Sequence, residues 1–247
     1  MNYSGTVWPK RVALSDRNTQ IATEKLSLKG FENEYKENFF EKSLLVKYLE
    51  NINKEGRYFS LSSQQMADIC KNRGEPDYYL KNNAGDVILF EHKDIKISGK
   101  IKQSGDLELI VSEYKNKLLR KKKSNKKDLN NPKPVGIGQL VTSVNKIGNG
   151  DFVWDTDLDH HAVIYPVIIL TDSNFIPDGF PFQMNYWFQE ELEKDNVVNI
   201  NIMPLVVMTT STLLLYSKHF IQNGIEYYHW KMLRPKLQGM VFWMQPI

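Results

Sequence analysis

Cysteine is almost missing from these 247 residues: Cys70 stands alone. An internal disulfide is therefore excluded, and a reducing, cytoplasmic setting is the expectation. Cys70 falls in a helix-like stretch beside Met66 and Ile69, a setting that argues against a catalytic thiol. Long apolar runs are also missing. No stretch approaches the roughly 18 uncharged residues that a membrane span needs, and no basic start leads into an apolar segment at the N-terminus. Neither membrane insertion nor secretion is expected. The chain has no Gly-rich loop followed by lysine and a hydroxyl residue, and Gly136-Ile137-Gly138 is too short to serve as one, which argues against an intrinsic ATPase. Cysteine and histidine show no structural-zinc spacing. No internal repeat is visible.

Hydrophobic residues make up 41% and charged residues 25%, the balance of a folding, soluble chain and not of a disordered one. The formal charge of +3 hides an uneven distribution. Residues 115–127 hold Lys115, Lys117, Arg120, Lys121, Lys122, Lys123, Lys126 and Lys127 without an acid, so the remainder carries 3 − 8 = −5. Such a run can be a solvated loop, or it can neutralise nucleic-acid phosphates and steer association.

The first 30 residues read as an arm in which Val7, Trp8, Val12 and Leu14 suggest ordered structure or a short strand. Over residues 31–52 apolar side chains return at helical spacing, with Phe31, Tyr35, Phe39, Val46 and Leu49 on one stripe. Glu34 and Glu41 project close to its edge, where either could face a cleft or simply solvent. A second short helix starts at Ser62 or Ser63, reaches Asn72, and is closed by Gly74 and Pro76. Residues 75–80 then read as a strand, 82–85 as a turn, and 86–93 as a stronger strand. Both faces of that second strand begin apolar, which predicts an interior strand covered on both sides.

A polar, partly helical insertion runs over about 94–134 and contains the basic run. Beyond it the pattern predicts a helix over 137–147, core strands over 163–170 and 197–208, and helices over 182–194 and 211–220. The aromatic segment from Ile225 onward reads as packed structure. The alternation of strand and helix predicts an α/β protein with a mixed sheet flanked by helices. The domain reading is an arm at 1–30 and one α/β domain at 31–247.

Phosphodiester hydrolysis at neutral pH needs an activated water and relief of the charge that builds on phosphate, and a divalent metal can supply both. Magnesium takes oxygen ligands, commonly one or two carboxylates with waters and substrate phosphate. Glu91 and Lys93 stand two apart on one strand and share a face. If Asn83-Ala84-Gly85 is a three-residue hairpin loop with glycine in the left-handed position, Asp77 lies opposite or nearly opposite Glu91. A slip of one residue would turn Asp77 to the other face. In the bland alternative, Glu91 and Lys93 form a strand-end ion pair and Asp77 shapes a turn.

Pro76-Asp77, thirteen intervening residues, and Glu91-His92-Lys93 resemble the motif of the PD-(D/E)XK nuclease superfamily. The resemblance covers residues 31–172 and implies a restriction-endonuclease-like core: a helix, the hairpin, a second helix and a further strand. It implies Asp77 and Glu91 as ligands of Mg2+, with Mn2+ as a substitute, and Lys93 acting on the water. It also implies a glutamine on the second helix, matched by Gln139, and an acid on the first, matched by Glu41 or Glu34. The long insertion departs from the family pattern.

The expected activity is that of a metal-dependent nuclease, foremost a DNA endonuclease of restriction, phage defence or repair. Nucleic acid is the expected partner, DNA before RNA. Cutting both strands would favour a homodimer or a larger defence or repair complex. The alternative is a noncatalytic nucleic-acid-binding or assembly subunit on a nuclease-like fold. Asp155, Asp157, Asp159, His160 and His161 crowd together, and Asp-His-His resembles the DHH phosphoesterases. The separate aspartate motifs of that family are not found, so a surface turn before the strand at Val163 is the reading. His219 and His229 are isolated and read as packed or surface histidines.

Overall fold

The structure is a computed structural model that describes residues 8–9, 25–26, 43–70, 74–121, 132–159, 161–171, 179–195 and 200–224. The chain divides into two compact units, Met1–Lys47 and Tyr48–Ile247. In the first, β1 (Trp8–Pro9) and β2 (Lys25–Leu26) form an antiparallel ribbon. Of the helix expected over 31–52, the described part is a helical turn at 43–45 followed by α1 (Val46–Ile52), which buries Leu49 and Ile52. Glu34 and Glu41 lie outside the described residues, as do His160, His229 and everything from Ile225 onward.

The second unit is built on one mixed sheet. An antiparallel meander joins β3 (Tyr58–Ser62), β4 (Tyr78–Asn82) and β5 (Val87–Lys93), and parallel pairing continues from β5 to β8 (Val163–Leu170) and on to β10 (Val206–Thr209). Strand β5 is therefore central, and its residues from Val87 to His92 are buried, as two apolar faces require. Asn53 closes the outer edge at β3: its side chain donates to the Tyr58 carbonyl and accepts from the Tyr58 N–H, both at 2.8 Å. Side-chain pairing of this kind occupies backbone groups that could otherwise template another strand.

Local chemistry explains the turns that frame the site. Ser62 caps α2 (Ser63–Ile69) in a reciprocal box with Gln65, whose Oε1 accepts from the Ser62 N–H at 2.8 Å. In the β4–β5 hairpin, Asn82 N–H donates to the Asp86 carbonyl at 3.0 Å and Gly85 takes φ +89°, closing the three-residue loop 83–85. The side-chain oxygen of Asn82 accepts from the N–H groups of Ala84 and Asp86 and fixes that loop. The expected loop length and its glycine are both present.

Between β5 and β8 come α3 (Gly99–Gln103), α4 (Leu107–Leu118), a two-residue antiparallel ribbon of β6 (Arg120–Lys121) with β7 (Lys133–Pro134), and α5 (Ile137–Gly148). Helix α5 buries Ile137, Leu140, Val141 and Val144 in the core shared with Tyr79, Val87 and Leu89, the face of the sheet that also carries Glu91. Each such apolar side chain contributes roughly 1.5–3 kcal/mol on burial. After β8, α6 (Phe180–Lys194) begins two residues earlier than its periodicity suggested, because Pro181 suits a first helical turn.

Three expectations need correction. The strand expected over 197–208 is broken into β9 (Asn201–Ile202) and β10, with residues 196–199 outside the described set. Pro204 lies in the break and has no N–H to give to a ladder. The helix expected over 211–220 is two helices, α7 (Thr210–Leu215) and α8 (Ser217–Asn223), parted where Tyr216 leaves helical geometry at ψ 8°. The acidic turn before β8 is not all surface. Asp155 is buried because Tyr79 donates its hydroxyl to it and Lys81 pairs with it, each at 2.6 Å.

Candidate nuclease centre and its surroundings

Strand alternation puts Glu91 and Lys93 on one face of β5, and the side chains meet there. Lys93 Nζ lies 2.7 Å from Glu91 Oε1; Glu91 is fully buried, while the Lys93 side chain is 23% exposed. A carboxylate at zero exposure is costly unless an opposite charge offsets its lost hydration. The lysine supplies that charge and keeps a route to solvent.

Asp77 reaches the same strand end by a different path. The ladder pairs Tyr78 with Phe90, a register that carried one step further sets Asp77 opposite Glu91. The Asp77 N–H donates to the Phe90 carbonyl at 3.1 Å, one residue out of step, so the ladder is offset there. Its side chain then takes the next strand position, since Oδ2 accepts from the His92 N–H at 2.7 Å. The Asp77 carbonyl accepts from the Ser63 N–H at 3.0 Å, tying the same residue to the start of α2. Asp77 thus meets β5 between Glu91 and Lys93.

The back of this strand end is also fixed. The buried His92 ring sets Nε2 3.0 Å from Thr171 Oγ1, and the Thr171 N–H donates to the Lys93 carbonyl at 3.3 Å. On the front, Gly136 precedes α5 with φ +53°, a conformation that favours glycine. A Cβ placed there would lie 3.0 Å from the Leu118 carbonyl oxygen and 3.3 Å from Lys93 Cγ. At Gly138 it would lie 2.2 Å from the Leu119 carbonyl oxygen. Those two glycines let the end of α4 and the start of α5 close over the lysine stem.

Gln139 sits in the first turn of α5, where Oε1 accepts from the Gly136 N–H at 3.0 Å. Its carboxamide oxygen therefore holds the helix start beside Lys93. The acids expected from the first helix, Glu34 and Glu41, fall outside the described residues.

The basic run is divided by the fold. Lys115 stands over the Trp187 ring at 5.5 Å; Lys117 pairs with Glu113 at 3.3 Å and donates to the Lys96 carbonyl. Arg120 directs Nε and one terminal nitrogen to Glu191 Oε2, each at 2.8 Å, and Lys194 Nζ lies 2.7 Å from Oε1. Lys121 is exposed on β6, and Lys122, Lys123, Lys126 and Lys127 lie outside the described residues. Burial pushes the Glu191 carboxyl up, but its bonds to Lys194 and Arg120 and their charges outweigh this and hold it below the usual carboxylate range.

Glu191 escaped the reading of the sequence, although a signal was there. It shares a helical stripe with the buried Met184, Trp187 and Phe188, and an acid within an apolar stripe requires a partner. Asp155 carried no comparable signal. Burial, followed by its hydrogen bond to Asp155, holds the Tyr79 phenol protonated well above its ordinary range.

Among the described residues no group of three or more histidine, cysteine, aspartate or glutamate side chains gathers as a metal-binding cluster. The pair Asp77 and Glu91 offers hard oxygen donors only, the chemistry magnesium and manganese accept and soft-metal sites do not use. Compared with family models, curated proteins and solved structures, the chain matches none of them.

Proposed function

We propose that this chain is a metal-dependent nuclease that hydrolyses phosphodiester bonds, foremost a cytoplasmic DNA endonuclease of restriction, phage defence or repair, on a restriction-endonuclease-like core. The observation that carries this reading is the meeting of Asp77, Glu91 and Lys93 at the end of one hairpin, with the lysine 2.7 Å from the buried acid and the aspartate bonded to the N–H between them. The order of helix, hairpin, helix and parallel strand supports it.

Asp77 and Glu91 would hold Mg2+ or Mn2+, which when bound would polarise the phosphate and acidify water. Lys93 stands beside Glu91 and is the group positioned to orient water and to offset charge on the phosphate. Gln139 steadies the helix start against which the lysine stem packs. Glu34 or Glu41 would add the helix acid that the family resemblance implies. Cleavage of both strands would call for a homodimer or a larger complex.

The complete burial of Glu91 and its ion pair favour a second reading, a noncatalytic nucleic-acid-binding or assembly subunit in which the same residues form a structural network. Incubating the purified chain with plasmid, single-stranded DNA and RNA, in Mg2+, Mn2+ and chelator, separates the two. Metal-dependent cleavage lost in Lys93→Ala is the expected result. Cleavage unchanged in that variant overturns the site, and binding without cleavage under every condition favours the second reading.

A further inference from the structure

The short ribbon of β6 and β7 sets Lys121 directly opposite Lys133, and both are exposed. Like charges directly opposed on an antiparallel pair repel. Among the described residues neither lysine has an ion-pair partner, in contrast to Lys117, Arg120 and Lys194, which are spent on acids. The ribbon is therefore an anion-seeking feature of the fold and not a neutralised one. Lys133 lies outside the run at 115–127, so only strand pairing reveals it.

The root of the ribbon is bonded into the fold and adjoins the proposed centre. Arg120 is clamped by the buried Glu191, and the Val135 N–H donates to the Leu119 carbonyl at 2.9 Å. One residue further, Gly136 lies against the stem of Lys93. Two-stranded ribbons can lie along or within nucleic-acid grooves, and lysines engage backbone phosphates as point charges.

We propose that β6 and β7 form a nucleic-acid contact arm in which Lys121 and Lys133 engage backbone phosphates beside the strand end of Asp77, Glu91 and Lys93, with Glu191 and Arg120 as its buttress. The choice of nucleic acid as the polyanion rests on the nuclease reading; the charge pairing does not.

The test is equilibrium binding of a fluorescent DNA duplex in chelator, titrated over salt concentration, for the wild-type chain and the Lys121→Ala/Lys133→Ala double variant. Each lost phosphate contact should lower affinity roughly tenfold at 0.1 M salt, and the pair should reduce the log–log salt slope by about two. Lys121→Arg/Lys133→Arg should bind within about twofold of wild type, because charge is retained. Lys218→Ala, which removes an exposed positive charge on α8 away from the ribbon, should do the same. Unchanged affinity and slope in the alanine pair overturn the arm, as does a wild-type chain that binds no nucleic acid or that prefers phosphatidylserine vesicles. A chain that binds through these lysines yet never cuts with Mg2+ or Mn2+ keeps the arm and sinks the nuclease reading. One that cuts and binds normally without them does the reverse.

Discussion

Two buried glutamates of this molecule meet the same electrostatic problem with different partners. Glu191, on α6, is answered by Arg120 and Lys194, so that this trio carries one net positive charge. Glu91, on β5, pairs with Lys93, and Asp77 reaches the N–H of the residue between them. A doubly countered acid is a buttress. At the end of β5 two carboxylates and a lysine come together, and the lysine side chain keeps access to solvent. Burial alone does not separate the two settings, since both carboxylates are buried.

The largest expected effect tests that division directly. Lys93→Ala should lower metal-dependent cleavage roughly 10²–10⁴-fold, the range for loss of a group acting on a proton or a developing charge. Lys194→Ala should leave the turnover number unchanged in the same plasmid assay. Equal losses from the two lysines would erase the distinction.

Next in size is the joint that ties the two regions together. Gly138→Ala would drive a Cβ to 2.2 Å from the Leu119 carbonyl oxygen. A cost of about 3 kcal/mol, read as a fall in melting temperature of roughly 10 °C, is expected. A variant with unaltered melting would mean that the contact between α4 and α5 yields easily.

Metal linkage sharpens the comparison without any reliance on cleavage. At a free Mn2+ concentration near 100 times its dissociation constant, the wild-type chain should gain about 2.7 kcal/mol of stability. Glu91→Gln should abolish this gain and Glu191→Gln should keep it. Thermal scans at several metal concentrations give the answer, and a gain that survives Glu91→Gln would remove that residue from the metal site.

Smaller effects are expected of the buttress. Glu191→Ala leaves two cations facing each other and should cost about 2 kcal/mol at neutral pH. The folded-state value of Glu191 is depressed. Its contribution is therefore fully present above the unfolded value of about 4.3 and is lost as pH falls through the lower folded value. Urea melts at pH 7 and pH 3 should show the difference between variant and wild type shrinking in acid. Smallest is Tyr79→Phe, which deletes a buried hydrogen bond to an acid that keeps Lys81. About 1 kcal/mol is expected from urea denaturation.

Much of this arrangement was legible beforehand. Alternation in residues 86–93 located the central strand, Ser62 or Ser63 announced a capped helix, and Gly85 marked the hairpin loop, because strand period, capping and left-handed turns are local properties. Breaks were harder to read. Pro204 and Tyr216 interrupt segments whose apolar content alone suggested continuity, and whether a ladder or a helix continues past such a point depends on what packs beside it.

By itself the sequence determined that Glu91 and Lys93 share a face, since alternation along a strand is a consequence of backbone geometry. It also determined that positive charge is concentrated in one insertion. Tertiary structure decided the rest: that Asp77 reaches the His92 N–H across an offset ladder, that Arg120 is spent on an acid 71 residues away, and that Lys121 faces Lys133. Pairings across long loops depend on register and on which charges share a low-dielectric interior, and neither is encoded in any local window of residues.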